Sequence, residues 1–185
     1  MTMNLSFDRN RPFAATVLDS ATSKPLFNLS HCGFTGCDCT MTIMEGHKET
    51  IFAEVKMHSL KKDMISLRGG SEMPLKNVLH GSKFSMSTTV QLPDGSEATW
   101  KESFGGTLRL QRNGKTIAES HRKHYITSKS RYMNIDIMDP SICSNIDNLA
   151  MVVLSFAILE QKKRNRNAAA GANASAGSSV AAATA

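Results

Sequence analysis

Residues 149–159 read LAMVVLSFAIL, apolar on every side at helical spacing. A helix without a polar face must be surrounded, by protein or by lipid. Eleven residues rise only ~16 Å as helix, against a hydrocarbon core of ~30 Å. Asp147 and Asn148 bound the run on one side and Glu160 on the other. The segment therefore predicts an enclosed core helix, not a membrane span. SNID (144–147) precedes it, with Ser144 and Asp147 resembling a capping box, and the basic stretch EQKKRNR (160–166) follows.

Everything before this helix reads as β-strand. Short runs of β-type residues alternate with turn signals from Phe13 onward, and Ile51, Ala53, Val55 and Met57 alternate with polar neighbours, the period of a half-buried strand. Pro93-Asp94-Gly95 and Arg112-Asn113-Gly114 each stand between two such runs. Asp-Gly and Asn-Gly supply the positive φ that tight hairpins require. Pro140 closes the last strand. About ten strands followed by one wholly apolar helix is a mainly β pattern, and a helix with no polar face cannot lie outside a sheet exposed to water. The expected architecture is a closed antiparallel β-barrel around a central hydrophobic C-terminal α-helix, which leaves no exposed strand edge. Residues 1–12 are expected to be a flexible leader, 13–166 the barrel with its helix, and 167–185 a disordered Ala/Ser/Gly-rich tail.

The chain has 185 residues and a formal net charge of +6, four units of which come from Lys162, Lys163, Arg164 and Arg166. The remaining +2 argues against a nucleic-acid partner, as do the eight Phe, two Tyr and one Trp, which offer no basic groove interleaved with aromatic platforms. The N-terminus lacks the charged-then-apolar order of a signal peptide, so the chain is expected in the cytoplasm, at a membrane surface or in the nucleus, with its four Cys as free thiols.

NIDIMDPSICSNIDNLAMVVLSFAILEQKKR (134–164) resembles the end of the tubby C-terminal-like superfamily, which includes LURP-one-related proteins, phospholipid scramblases and small fungal domains. The hairpin DGSEATWKES (94–103) and the strand IAESHRKHY (117–125) are closest in flavour to the small fungal members. The resemblance implies a barrel of about twelve strands around the hydrophobic helix. In tubby proteins this domain binds phosphoinositide headgroups. The chain lacks the scramblases' Pro-rich leader, Cys run and acidic calcium-binding segment, which argues against calcium-dependent lipid movement. Without a ligand signature, no functional residue carries over by position.

Two constellations carry candidate chemistry. In HCGFTGCDC (31–39), Cys32, Cys37 and Cys39 with one of His31, His47 or Cys143 have zinc-ligand residue types, but C-x4-C-x-C matches no common finger. The cluster reads as a loop with incidental thiols, so neither a metal nor a cofactor is expected. The densest basic group is His121, Arg122, Lys123 and His124 with Lys129 and Arg131. On a strand, His121 and Lys123 share one face and Arg122 and His124 the other. Arg122, Lys123, Lys129 and Arg131 are the candidate ligand-binding residues, for anionic lipid attracted at ~1 kcal/mol per basic residue. Lys162, Lys163, Arg164 and Arg166 read as complements to a helix C-terminus. No G-x-S-x-G, H-E-x-x-H, EF-hand or dinucleotide motif occurs. The expected function is a non-catalytic, monomeric binding or scaffold module, touching anionic phospholipid surfaces or a protein partner. The alternatives are an enzyme of unrecognised type or a nucleic-acid binder.

Overall fold

The structure, a computed structural model, describes residues 2–31, 38–58, 61–81, 87–103, 106–124 and 131–180. Thirteen strands form one antiparallel sheet. The first seven are β1 (Met3–Phe7), β2 (Ala15–Asp19), β3 (Pro25–His31), β4 (Cys39–Glu45), β5 (Lys48–Lys56), β6 (Met64–Leu67) and β7 (Met73–Pro74). A 3-10 turn, Leu75–Asn77, leads to β8 (Leu79–Gly81), β9 (Ser87–Gln91), β10 (Glu97–Glu102), β11 (Leu108–Arg112), β12 (Lys115–His124) and β13 (Arg131–Ile137). A short helix α1 (Pro140–Cys143) and a long one, α2 (Ile146–Val180), complete the described residues.

The apolar run lies inside this sheet. Every residue from Leu149 to Ile158 is buried, so α2 has no face toward water over that stretch. Phe156 packs between opposite walls: its ring centroid is 5.6 Å from that of Phe7 on β1 and 6.1 Å from that of Trp100 on β10. Ser155 is tolerated in this enclosure because its hydroxyl accepts from Trp100 Nε1 at 2.9 Å and donates to the Val152 carbonyl at 3.0 Å.

The sheet is not closed, which corrects the barrel expectation. Its order runs β7-β6-β5-β4-β3-β2-β1-β13-β12-β11-β10-β9-β8, leaving β7 and β8 as unjoined edges. The cause is local. β7 has two residues and ends at Pro74, which has no N–H to donate. The chain then crosses to β8 as a 3-10 turn instead of a ladder, with Leu75 N–H bonded back to the Asp63 carbonyl at 2.8 Å.

Three other expectations change. Residues 3–7 are no leader: β1 lies between β2 and β13, with Leu5 and Phe7 buried. Met3, Leu5 and Phe7 alternate with Asn4 and Ser6, a strand signal in plain view. Ile51 is 50% exposed instead of inward, because a bulge pairs Met41 with Ala53 and Thr42 with Ile51 and leaves Phe52 as the extra residue. The tail expected to be disordered continues α2 to Val180, with residues 167–171 exposed. Ala-rich sequence extends a helix that the core has already nucleated.

The hairpin signals hold. Gly95 has φ 83°, and Asn113 and Gly114 have φ 52° and 77°, between β9 and β10 and between β11 and β12 respectively. The α2 cap is Asn145, not Ser144: the Asn145 side-chain oxygen accepts from the N–H groups of Asp147 at 3.0 Å and Asn148 at 3.1 Å.

Candidate functional site

The strand β13 delivers the chain to one end of the sheet, and α2 returns through it to the other. Two distinct polar ends result. At the entry end, Arg112 from β11 reaches Asp139 Oδ2 at 2.6 Å and the Ser141 hydroxyl at 2.8 Å, and lies 3.8 Å from Asp94. Asn148, buried at the start of α2, donates to Asp94 Oδ2 at 2.8 Å and accepts the Asp94 N–H at 3.2 Å. The Ser96 hydroxyl and N–H, with Asn148 and Arg112, hold the Asp94 carboxyl below its usual range against desolvation. Burial pushes Asp139 upward, but Ser141 and Arg112 outweigh it and the net shift is down. This end is a lock between hairpin turns and helix, with its charges mutually satisfied.

The exit end differs. Where α2 leaves the sheet, beside the seam between β7 and β8, a cavity of about 500 Å³ opens. Its floor is apolar and includes Trp100, Leu108 and Ile158, while Leu75 and Leu79 come from the two sides of the seam. Its rim carries Lys62, Lys76, Lys162, Lys163 and Arg166 against two carboxylates, Asp63 and Glu102. Lys162 pairs with Asp63 at 2.9 Å. Lys163 pairs with Glu102 at 2.5 Å and donates to the Gly106 carbonyl at 3.0 Å, and Arg166 stands 4.0 Å from Glu102. Lys62 and Lys76 are exposed and have no carboxylate within ion-pair distance among the described residues. Among the described residues, five cations over two carboxylates leave a local surplus of three.

Arg164 sits on the other side of the exit. It pairs with the buried Glu160 at 3.1 Å, donates to the Asn10 carbonyl at 2.6 Å, and touches Met133 Sδ at 3.5 Å. The four basic residues of the helix therefore do not complement a helix C-terminus, since α2 runs on to Val180. They bind the helix exit to surrounding elements and build the cavity rim. Their spacing was visible in the sequence, but their partners just before β6, on β10 and in the N-terminal segment were not.

Of the sequence-derived candidates, Arg122 and Lys123 stand opposite Met133 and Tyr132 in the ladder of β12 and β13, and Arg131 stands opposite His124. Their side chains lie outside the described residues, as does Lys129 altogether. Met133, the register partner of Arg122, is the residue that Arg164 touches, so this part of the backbone reaches the exit end of α2.

Of the thiol cluster, Cys32 and Cys37 also lie outside the described residues. Cys39 is buried on β4 opposite His31 and Val55. Cys143 is on α1, where burial and then Asp139 push its thiol pKa up, away from a reactive thiolate. His121 Nδ1 lies 3.2 Å from Asp136, to which the Asn4 amide also donates, and none of these three residues lines the cavity.

Fold and site together define a mainly β protein wrapped around a buried helix, with an open seam and a cation-rimmed cavity at the helix exit. The chain belongs to DUF6593, a family of unknown function whose model matches residues 10–165. The match begins after β1 and ends near the cavity rim. No curated protein and no solved structure matches the chain. No described helix is long and apolar enough to cross a membrane.

Proposed function

We propose that this protein is a non-catalytic binding module that recognises anionic phospholipid surfaces peripherally through the exit end of α2. The observation that carries this reading is the surplus of three cations around the exit cavity. At ~1 kcal/mol per basic residue near an anionic surface, the surplus contributes roughly 3 kcal/mol. That is enough for a salt-sensitive, reversible contact and far from a permanent anchor. The backbone of β12 at Arg122 and Lys123 pairs with β13 near Met133, which Arg164 touches, so this ladder approaches the same end. The reading also takes up the tubby-like resemblance of residues 134–164, in which lipid headgroups are the ligands of some members.

Co-sedimentation of the full chain with vesicles of anionic phospholipid, at low and physiological salt, tests this. Binding is expected to weaken with salt. It should also weaken in a Lys62→Glu, Lys76→Glu variant and in an Arg122→Ala, Lys123→Ala, Lys129→Ala, Arg131→Ala variant, with oligonucleotides failing to compete. Absence of sedimentation at low salt would overturn the proposal.

A further inference from the structure

The cavity itself has more to say than the charge around it. At one register level the inward positions of β8, β9 and β10 are Gly81, Thr88 and Trp100: Gly81 pairs with Thr88, and Thr88 with Trp100. These two small residues, side by side beside the open seam, form one wall of the cavity, with Trp100 behind them. A Cβ added at Gly81 would already meet the Thr88 hydroxyl at 3.2 Å, so the wall is thin but closely fitted there. Protein interiors are normally packed without such space. The space here has a graded lining, apolar at depth and cationic at the mouth.

We propose that this cavity is a site for one single-chain anionic lipid, a monoacyl phosphate. Its chain lies along Pro74, Leu79 and Leu159, with Trp100 beneath, and its phosphate lies between Lys62 and Lys76. The proposal rests on the lipid-surface reading above and adds to it a discrete site. Three observations select the occupant. A volume of about 500 Å³ falls within the ~300–1,000 Å³ of small-molecule sites, which fits one apolar body and not two long chains side by side. An apolar floor beneath a cationic mouth matches an amphiphile with its charge at one end. Finally, Lys162, Lys163 and Arg166 already have carboxylate partners, whereas Lys62 and Lys76 have none among the described residues. Two unpartnered ammonium groups match the roughly −1.5 to −2 charge of a phosphate monoester better than a monovalent carboxylate.

Trp100 is the single Trp of the chain, so its emission reports the cavity floor. The full chain is titrated with a monoacyl phosphate carrying bromine atoms on its chain, below the concentration at which the lipid aggregates. A zwitterionic lipid with the same brominated chain runs in parallel. Saturable quenching by the monoacyl phosphate is expected. Half-saturation should rise roughly tenfold or more in the Lys62→Glu, Lys76→Glu variant and for the zwitterionic lipid. Thr88→Phe, which puts a ring into the cavity from its wall, should abolish quenching; if that variant fails to fold, the exposed lysine pair decides alone. Vesicle binding without quenching would overturn the cavity site and leave the surface reading standing. Quenching without vesicle binding would support the site and overturn the surface reading. Equal quenching by both lipids would overturn the phosphate assignment.

Discussion

Val153 and its neighbours on α2 are fully buried, although nothing about a single valine says so. Only its place in an unbroken apolar run does. Val153→Asp puts a charge where no partner or water can reach it, a change expected to cost on the order of 4–5 kcal/mol or more. The variant should be insoluble or unfolded by circular dichroism; a folded, monodisperse product would contradict the enclosed helix. Ser155 shows the opposite case, a polar residue whose meaning came only from Trp100, fifty-five positions away. Arg112 is similar. It ties Asp139 and Asp94, two carboxylates held below their usual range. A depressed carboxylate stabilises the fold above its unfolded pKa of about 3.9, and that stability is lost as pH falls through the lower folded value. The urea midpoint should therefore drop as pH falls below about 4. Arg112→Met should cost about 1–2 kcal/mol at pH 7 and flatten that decline only in part, because the Ser96 and Ser141 hydrogen bonds to the two carboxylates remain. An unchanged acid profile in Arg112→Met would show that the serine hydrogen bonds alone hold these carboxylates down.

Among the elements, hairpins and helix were legible because their signals are local. Asn113-Gly114 needs no distant partner to turn. The bulge in β5 was not legible, since an extra residue is defined only against the opposite strand, and at Phe52 it turns Ile51 outward. The choice between Ser144 and Asn145 as cap depended on where α2 begins after α1, and the Asn145 side-chain bonds decide it. From residue 167 to 171, α2 continues without burial, so its helicity there rests on Ala propensity and on the turns already formed. A chain shortened to end at Arg166 should keep Glu102 paired and melt within about 1 °C of the full chain, since exposed helix adds little packing. A drop of ten degrees in differential scanning calorimetry would mean that the extension docks on the sheet.

Across the whole molecule, the apolar run and the strand periodicity that precedes it sufficed to predict a mainly β protein built around its C-terminal helix. Both signals are short-range patterns of hydrophobicity, and burial demand alone translates them into an enclosure. The same patterns could not show whether the sheet closes. Closure depends on whether two edge strands meet, and Pro74 with the 3-10 turn after it keeps β7 and β8 apart. Nor could they reveal the cavity, whose rim gathers Lys62, Lys76 and Lys162 to Arg166 from sites a hundred residues apart. Charges scattered along a chain acquire a common field only when the fold brings them to one end. Hydrophobic order, written residue by residue, specified the helix and its wrapping; the seam, the cavity and the convergence of charge arose from contacts distant in sequence, which only the folded chain brings together.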